Sequence, residues 1–590
     1  MSFDGTDLPA PCLGVARSLT GRFWRAPEPE VERKAAALLQ QTGLPDLICR
    51  VLAHRGVAAD EAETYLAPRL RDLMPDPSTL LDMDRAVETL LSAVASRARI
   101  AVFADYDVDG GASAALLIDW LRPHGIAATL YVPDRIDEGY GPNVPAMEAL
   151  ARDHDLIICV DCGTLSHAPI AAAKAAGAKV LVLDHHQGGE TLPEAEAVVN
   201  PNRQDETGDL GFLCAAGVVF MMLVAANRAL RSEGRDAPDL MGLLDLVALA
   251  TVADVAPLVG LNRAFVRQGL AVMGRRGRPG LVALSDTARI TSAPSAYHLG
   301  YMLGPRVNAG GRIGAADLGA RLLATRDPHE AAALAERLDA LNAERRGIEA
   351  EVLAQALDQT ESRGTDGPLV WAAGEGWHPG VVGIVASRLT EATNRPAIVI
   401  GLADGEGKGS GRSVSGVDLG ASVAACTREG LLLKGGGHAM AAGLTVAEDQ
   451  LEAAMDRLST LLDRQGAAAT GPRSLRIDGL VGPGGVTADL IDQMEGAGPF
   501  GAGSPAPRVA LRDVRIGFAK RAGESHLRLR LNGAGGGIDA IAFRAFESEL
   551  GPRLEAHGGA PFHIAGRLEI DDWGGRRQPK LRVEDAAEVT

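Results

Sequence analysis

The chain has 590 residues, too many for one hydrophobic core, and this length predicts about three to five domains. Hydrophobic residues make up 46% and charged residues 23% of the chain, which is typical of soluble globular proteins. The formal net charge of −17 argues against a protein that is wrapped in nucleic acid over its whole surface, although it leaves room for a local basic groove.

The cysteines and the N-terminal residues indicate in which cellular compartment the protein is expected. Six scattered cysteines are too few for a disulfide framework, and the pair Cys159 and Cys162 has no second pair with which to form a zinc site. The first residues, MSFDGTDLPAPCLG, lack the basic and apolar regions of a signal peptide, and no apolar run reaches about 18 residues without interruption. We therefore expect a cytoplasmic protein without a membrane span.

In the first half of the chain, after a helical segment, sequence patterns typical of strands alternate with patterns typical of helices. Residues 1–80 are expected to form a small, mostly helical segment. Strands are then predicted at 99–107, 127–135, 155–163 and 178–186, with amphipathic helices in the intervals. Because strands that alternate with helices form βαβ units, the fold class of residues 81–275 is predicted to be α/β with a parallel sheet.

The second half begins with helices and ends with strands. Residues 242–258 predict a helix that runs into a loop. The spacing of Asp327, Pro328 and Glu330 is that of a helix N-terminus, and one helix is predicted over 328–360 within a helical connector at 276–365. A smaller α/β region is expected at 366–467, followed by a linker near 466–474 and a glycine-rich β-barrel over 468–590.

Residues with metal-binding side chains follow the predicted strands. They are, in chain order, Asp105, Asp107 and Asp109 after the first strand, Asp161 after the third, Asp184, His185 and His186 after the fourth, and Asp254 after a later helix. Because parallel strands end at one edge of a sheet, these side chains are expected to share one cleft. Such a cluster repels itself without cations and suits Mg²⁺ or Mn²⁺, and two metals about 3.5–4 Å apart would make a phosphoryl-transfer site. The alternative for the aspartate run is a solvated loop or a Ca²⁺ site, but an EF-hand loop would end in Glu.

Several motifs carry a family resemblance. "DYDVDG", "VDCG" and "DHH", in this order, resemble the DHH phosphoesterases. "VPDRIDEGYG" (132–141), "GYMLGPRVNAGGRIG" (300–314), "WHPGVVGIVASRL" (377–389) and "GGGHAMAAG" (435–443) are similar to the RecJ-type single-strand-specific DNA exonucleases. The resemblance extends over residues 20–590 and implies a DHH domain, a long linking helix, a DHHA1 domain and a C-terminal oligonucleotide-binding (OB) barrel.

The resemblance also implies roles for single residues. Catalysis and metal ligation fall to Asp107, Asp109, Asp161, His185 and His186, and Asp105 and Asp254 complete the ligand set for two divalent ions. The substrate-binding residues would be Arg135, Arg306, Arg312, His378, Ser410, Arg412, Ser413, Gly436, Gly437 and His438, with the arginines on a terminal 5′ phosphate and "GSGRS" (409–413) as a flexible loop. Surface salt bridges for the arginines and plain tight turns for the glycines are the alternatives.

The C-terminal region offers a further surface for nucleic acid. Arg528 and Arg530 fall on one strand face, and Phe500, Phe543 and Trp573 are possible stacking partners. Half-buried strands show the same polar alternation, so here the resemblance rather than the pattern favours DNA binding.

The resemblance implies a metal-dependent exonuclease that hydrolyses single-stranded DNA from 5′ to 3′ into mononucleotides in DNA repair and recombination. A phosphodiesterase for short oligonucleotides or cyclic dinucleotides is the alternative, and a strand-binding protein without catalysis is disfavoured because no ligand is missing. A helicase and a single-strand-binding protein are the expected partners of a monomeric enzyme. The choice between Mn²⁺ and Mg²⁺, the role of each DHH histidine, processivity and activity on RNA stay open.

Overall fold

The computed structural model describes residues 10–135, 137–469, 473–571 and 576–589. These residues divide into two units. One lies within Met1–Pro75, Val255–Gln268 and Pro472–Thr590, and the other within Asp76–Asp254 and Gly269–Gly471.

Helices and strands alternate through most of the described chain. The α-helices are α1 Pro29–Thr42, α2 Asp46–His54, α3 Ala62–Leu66, α4 Leu70–Leu73, α5 Met83–Ala95, α6 Val108–Leu121, α7 Val144–Asp153, α8 His167–Ala175, α9 Ala215–Ser232, α10 Leu244–Ala253, α11 Gly260–Gly274, α12 Pro279–Thr287, α13 Gly304–Ile313, α14 Leu318–Ala324, α15 Pro328–Arg363, α16 Pro379–Thr393, α17 Leu419–Arg428, α18 Leu451–Asp463, α19 Ala488–Gly496 and α20 Leu550–Glu555. The strands are β1 Phe23–Arg25, β2 Ile100–Ala104, β3 Thr129–Tyr131, β4 Leu156–Val160, β5 Lys179–Leu183, β6 Ala197–Val199, β7 Val370–Glu375, β8 Ala397–Ala403, β9 Glu406–Arg412, β10 Lys434–His438, β11 Ala441–Ala447, β12 Ser474–Arg476, β13 Gly479–Leu480, β14 Val509–Ala522, β15 His526–Gly533, β16 Gly536–Ala542, β17 Pro561–Asp571 and β18 Gln578–Glu588. A π-helical turn, His298–Leu303, precedes α13.

The predicted parallel sheet is confirmed. Its five strands run in the order β3-β2-β4-β5-β6, and every neighbouring pair is parallel. Ala104 is level with Val160, and Val160 with Leu183, so β2, β4 and β5 end side by side. The central strands are apolar throughout because both of their faces are buried. The sheet therefore aligns at one edge the residues that follow these strands.

The predicted long helix is confirmed as α15, which has 36 residues. The carboxylate of Asp327 accepts a hydrogen bond from the backbone N–H of His329 and so caps its first turn. Near its start Leu338 and Leu341 pack against α13, where Gly310 and Gly314 leave room for them. Further along, Val352 and Ala356 join the core that contains α16. One helix thus belongs to two cores.

The second sheet of this unit corrects the prediction for the glycine-rich motifs. Its five strands run in the order β10-β11-β9-β8-β7. "GSGRS" was predicted to be a flexible loop, but its residues up to Arg412 belong to β9, and the "GGGH" glycines belong to β10 rather than to a turn. A Cβ at Gly409 would lie 2.8 Å from Cγ1 of Ile400, and one at Gly411 would lie 2.7 Å from Cδ2 of Leu419. These glycines are therefore explained by close packing inside a sheet.

The other unit contains the predicted barrel. Strands β14, β15, β16, β18 and β17 pair in this order, and β14 closes the barrel by pairing with β17. The N-terminal helices share its core, since Leu38, Ile48 and Leu52 cluster with Leu511 and Leu529. The described residues up to Pro75 belong to the same unit as the barrel. The boundary predicted for the mostly helical segment at residues 1–80 stays a prediction.

One of the described helices, α9, is long and apolar enough to cross a membrane, with a mean hydropathy of 1.2. The sequence prediction concerned apolar runs without interruption, and Asn227, Arg228 and Arg231 interrupt this helix. Because 72% of this helix is buried inside the protein, it has the character of a core helix.

Candidate active site

Helix α6 begins at the sheet edge and carries two carboxylates. Asp107 is its N-cap, and its carboxylate accepts hydrogen bonds from the backbone N–H groups of Asp109 at 2.8 Å and Gly110 at 3.1 Å. A Cβ at Gly110 would lie 2.4 Å from the carbonyl oxygen of Asp105, so only glycine lets this turn pack so closely. The carboxylate of Asp109 accepts from the backbone N–H groups of Ala215 and Ala216 at the start of α9, at 2.6 and 2.8 Å. These bonds fix both carboxylates before any ion binds.

The imidazole of His185 lies among three carboxylates. Its Nε2 atom is 3.2 Å from Oδ1 of Asp161, 3.7 Å from Oδ2 of Asp109 and 3.8 Å from Oδ2 of Asp254. Asp254 directly follows α10, and Asp161 directly follows β4 with a left-handed φ of 61°. Residues from four different elements thus meet at one imidazole.

Asp184 positions both histidines. Its Oδ1 accepts from the backbone N–H of His185 at 2.7 Å and from Nδ1 of His186 at 2.8 Å, while Oδ2 accepts from the backbone N–H of Thr164 at 3.1 Å. Burial alone would raise the pKa of Asp184, but the hydrogen bond from His186 and the bonds from Thr164 hold this pKa below its ordinary value. Burial opposes the charge on His186, yet the bond to Asp184 raises the pKa of His186 to about 9.

The aspartates and histidines at this edge of the sheet, called the carboxylate cluster below, fit divalent cations. Its members form three overlapping groups whose ligand atoms lie within 4.8 Å of one another: Asp161, His185 and His186; Asp109, His185 and Asp254; and Asp105, Asp107 and Asp161. Buried Oδ1 atoms of Asp105 and Asp161 accept no hydrogen bond from the described residues. Burial, then neighbouring carboxylates, raise the pKa of Asp161 well above its ordinary value and that of Asp254 to about 8. Bound cations would relieve this repulsion. The seven residues predicted as ligands are therefore together, and their ligand roles stay predictions.

Tyr140 is a site residue that sequence reasoning did not single out, although it lies in the quoted motif at 132–141. Its hydroxyl donates to the carbonyl oxygen of Asp161 at 3.1 Å and lies 3.2 Å from Nδ1 of His186. The residue is 54% exposed, and its ring lies edge-on to that of His186, with the ring centres 5.7 Å apart. Its place in the loop after the predicted strand at 127–135 was the sequence signal that could have revealed it.

Three arginines, Arg135, Arg312 and Arg412, gather near His378 at the start of α16 and are called the cationic group below. Arg312 donates through Nη1 to the carbonyl oxygen of Gly380 at 3.1 Å, and Nδ1 of His378 accepts from the backbone N–H of Gly380 at 3.0 Å. Arg412 donates to the hydroxyl oxygen of Ser410 at 3.0 Å. Burial, and then the charge of Arg135, lower the pKa of Arg312 to about 10 and also lower the pKa values of Arg412 and His378. Positive charges held so close together, at a helix N-terminus, favour an anion.

The cationic group adjoins the carboxylate cluster. A Cβ at Gly311, the residue before Arg312, would lie 2.7 Å from the carbonyl oxygen of Tyr106. The side-chain oxygen of Asn308 accepts from the backbone N–H of Val108 at 2.9 Å, which ties α13 to the start of α6. The guanidinium of Arg135 lies over the ring of Tyr106, 5.2 Å from its centre. Asn308 and Tyr106 connect the two groups, and neither was among the predicted site residues.

The remaining predicted substrate-binding residues have local hydrogen-bond partners or lie on an edge strand. Arg306 donates to Asp339 at 2.8 Å and to the carbonyl oxygen of Met302 at 2.7 Å. The buried hydroxyl of Ser413 donates to the carbonyl oxygen of Val417 at 2.7 Å. Gly436, Gly437 and His438 lie on β10, the edge strand of its sheet, and the Nδ1 atom of His438 accepts from the backbone N–H of Met440 at 3.3 Å. The substrate-binding role of these residues stays a prediction.

The barrel presents a cationic face of its own. Arg528 and Arg530 alternate along β15 with the buried Leu527, Leu529 and Leu531, as predicted. The guanidinium of Arg582 lies over the ring of Phe543 at 5.1 Å, and this ring is 44% exposed. Phe500 instead lies under the guanidinium of Arg55. Trp573, also predicted as a stacking residue, lies outside the described residues.

Known families match three parts of the chain. Residues 99–251 match the DHH family N-terminal domain, 366–464 the DHHA1 domain, and 477–585 the RecJ OB domain. The single-stranded-DNA-specific exonuclease RecJ of Dickeya dadantii (strain 3937) is 38% identical over 561 residues, which cover 92% of this chain and 96% of that protein. The protein of the same name from Bacillus subtilis (strain 168) is 32% identical over 571 residues, which cover 96% of this chain and 70% of the relative.

Two crystal structures of RecJ from Thermus thermophilus are similar to this structure. The one in complex with Mn²⁺ has a TM-score of 0.79 at 30% identity, over 95% of this chain and 79% of that chain. The one in complex with Mg²⁺ has a TM-score of 0.74 at 28% identity, over 96% of this chain and 78% of that chain. The match in sequence and fold extends from the carboxylate cluster to the barrel, and the chain belongs to the RecJ family of single-stranded-DNA-specific exonucleases.

Proposed function

We propose that this protein is a metal-dependent exonuclease that hydrolyses single-stranded DNA from the 5′ end into 5′-mononucleotides. One observation carries the proposal. The buried carboxylate cluster and the cationic group adjoin each other through Gly311 and Tyr106, so a phosphate held by the cations would place the next phosphodiester beside the cluster. The relatives named above support DNA as the substrate.

The cluster residues would hold two divalent ions, Mn²⁺ or Mg²⁺. Such ions lower the pKa of a water molecule and stabilise the charge that develops on a phosphate during in-line attack. The chain contributes the placement of the ligands. Asp107 and Asp109 are fixed by backbone hydrogen bonds. Asp184 accepts a hydrogen bond from Nδ1 of His186, so that Nε2 is the ring nitrogen left for a metal or a phosphate oxygen. A rigid ligand set of this kind lowers the reorganisation needed at the moment of reaction.

The cationic group would determine the direction of hydrolysis by binding the 5′ end of the strand. Arg135, Arg312 and Arg412 would bind the terminal 5′ phosphate, because a guanidinium donates two parallel hydrogen bonds to phosphate oxygens. His378 and Ser410 lie at the same helix start and would contribute further donors. A terminal phosphate carries more negative charge than an internal one, so this group favours a strand end over the middle of a strand.

The barrel would bind single-stranded DNA through a cationic face of its own. Arg530 is paired in register with Phe518, and Arg528 with Lys520, so cations and an exposed ring lie side by side on neighbouring strands. Such surfaces bind single strands by contacts to phosphates and by stacking of bases, with little preference for sequence.

Cellular context extends the proposal. We infer that the enzyme works in the cytoplasm as a monomer, together with a helicase that exposes single strands and a protein that coats them. Affinity capture from cells of the source organism, repeated after nuclease treatment to remove bridging DNA, would reveal such partners or their absence.

A labelled-strand assay tests the activity and its direction. Single-stranded DNA labelled at the 5′ or the 3′ end is added to chelator-treated protein, and Mn²⁺ or Mg²⁺ is then restored. We expect immediate release of the 5′ label as a mononucleotide and late release of the 3′ label. The variant Asp161→Ala should abolish both, whereas Asp153→Ala, which removes an exposed aspartate, should not. Cleavage of cyclic dinucleotides or dinucleotides, with intact long strands, would instead support a small-substrate phosphodiesterase.

A further inference from the structure

Two exposed aromatic rings stack at the π-helical turn before α13, where Tyr297 directly precedes the turn and Tyr301 lies in it. The rings of Tyr297 and Tyr301 have centres 5.2 Å apart and planes 26° apart. Tyr297 is 55% and Tyr301 74% exposed, so these rings contribute little to the core. Residues four apart share one face of a helix, which explains why the two rings meet. π-Helical turns are rare in proteins, and many of those that do occur lie at functional sites.

The turn lies against the end of α10, next to a predicted metal ligand. A Cβ at Gly300 would lie 3.3 Å from Cγ1 of Val252, and one at Gly304 would lie 3.2 Å from Cβ of Ala253. The residue that follows Ala253 is Asp254, which belongs to the carboxylate cluster. The glycines therefore let the backbone that carries both tyrosines approach the Asp254 side of the cluster.

Helix α13 separates this ring pair from the cationic group. It begins directly after the π-helical turn and ends next to Arg312. The 11 residues from Tyr301 to Arg312 correspond to about 16 Å at 1.5 Å per residue. Arg312 adjoins the Asp107 side of the cluster through Gly311 and Tyr106, whereas the backbone that carries the tyrosines adjoins its Asp254 side through Gly300 and Gly304. A strand whose 5′ end is held at Arg312 would pass the cluster and continue towards the tyrosines.

We propose that Tyr297 and Tyr301 form a stacking platform for a base of the bound strand, on the side of the metal cluster away from the 5′ end. This inference rests on the proposed function and adds a subsite to it. Every base has a flat face, so the platform accepts any sequence. A base within a duplex is already stacked on both sides and cannot lie on the tyrosines. The platform thereby contributes to the preference for single strands.

Strand length gives the first test. In the variant Tyr297→Ala/Tyr301→Ala, we expect KM for long strands to rise roughly tenfold, since stacking of a base on an aromatic side chain is worth about 1–3 kcal/mol. The kcat value should change less than about twofold, because the platform binds the strand without touching the reacting phosphate. The rise in KM should vanish for strands too short to span the distance along α13. The variant Tyr297→Phe/Tyr301→Phe keeps the rings and should behave as the unmodified protein.

A position scan gives the second test. The fluorescent base 2-aminopurine is placed at successive positions from the 5′ end, and binding is measured with the metals chelated. We expect strong quenching at one position, lost in the double alanine variant and kept in the double phenylalanine variant. An abasic sugar at that position should raise KM of the unmodified protein and add nothing in the double alanine variant.

These outcomes separate the two proposals. If the unmodified protein releases no 5′ nucleotides, the proposed function fails. If it does so and the double alanine variant keeps the same KM and the same quenching, the platform is wrong. An unchanged rise of Tm on addition of Mn²⁺ shows that the variant is folded and binds metal.

Discussion

The carboxylate of Asp184 accepts the Nδ1 hydrogen of His186 at 2.8 Å and the backbone N–H of His185 at 2.7 Å. One buried aspartate therefore sets the tautomer of one histidine and the backbone course of both. The side-chain amides of Asn200 and Asn202 complete the arrangement by donating to the carbonyl oxygens of His186 and His185, at 2.8 and 2.6 Å. A ligand imidazole supported in this way is more basic and better oriented than a free one.

The first prediction concerns this support. The variant Asp184→Asn keeps the size of the side chain but weakens its hold on the Nδ1 hydrogen of His186. We expect activity or metal affinity to fall by about 10- to 100-fold, as is usual when the partner of a ligand histidine is removed. The measurement is nuclease rate against Mn²⁺ concentration. The exposed Asp155, which precedes a strand in the same sheet, provides the matched control Asp155→Asn. An unchanged Mn²⁺ midpoint and an unchanged rate would show that Asp184 does not support the metal site.

The second prediction concerns metal and pH. Burial and neighbouring carboxylates raise the pKa of Asp254 from 3.8 to about 8 and that of Asp105 well above its ordinary value. Between about pH 4 and about pH 8, the folded metal-free protein therefore binds more protons than the unfolded chain. Its stability falls as the pH rises through this range. Metal replaces these protons. We expect the rise in Tm caused by Mn²⁺ to be larger near pH 8.5 than near pH 6.

Thermal unfolding with chelator and with Mn²⁺, at several pH values, measures this difference. The variant Asp254→Asn removes one of the raised carboxylates and should flatten the dependence on pH. A gain in Tm that is equal at all pH values would contradict the electrostatic description of the cluster.

The sequence was sufficient for the sheet and its edge. A strand buried on both faces is a continuous apolar run, so β2, β4 and β5 could be recognised directly, and a parallel arrangement brings Asp105, Asp161 and the two histidines to the same edge. The helix α15 was recognisable from its N-cap and its apolar stripe. Local pattern decides these elements, which is why their type was predicted correctly even where their ends were not.

Other features depend on contacts that no local pattern encodes. Residues of β9 and β10 were taken for loops because glycine is rare in strands, yet Gly407, Gly409 and Gly411 alternate in β9 with the two-residue period of a sheet. The positioning role of Asp184 depends on the turn that follows β5. Likewise, the bond between Nε1 of Trp24 and Asp585 joins residues 561 positions apart.

The third prediction concerns the 5′ end. The variant Arg412→Ala removes one guanidinium from the proposed phosphate pocket. Hydrogen bonds to charged groups contribute about 1.5–3 kcal/mol, so kcat/KM on strands with a 5′ phosphate should fall about 10- to 100-fold. Strands with a 5′ hydroxyl should lose much less. The measurement compares both substrates at equal length.

A matched control for this experiment lies on the same helix as the pocket. Arg388 is exposed on α16 and pairs with Glu349 and Glu391, so Arg388→Ala removes a guanidinium without touching the pocket. Equal losses on both substrates in Arg412→Ala would show that the guanidinium does not read the terminal phosphate.

The last prediction concerns the barrel. Arg528 and Arg582 lie on its cationic face, where Arg582 also covers the ring of Phe543. Each cation that neutralises a phosphate of a single strand adds about 0.7 to the slope of log affinity against log salt concentration. The variant Arg528→Ala/Arg582→Ala should therefore reduce that slope by about 1.4 and weaken binding of long strands regardless of their sequence. Titration of labelled strands with chelated metal, at several salt concentrations, gives the slope. Arg521 lies on the same barrel but is paired with Glu555, so Arg521→Ala should leave the slope nearly unchanged. A slope that falls about half as much in Arg521→Ala as in the double variant would assign the effect to net charge and exclude this face as a binding surface for the strand.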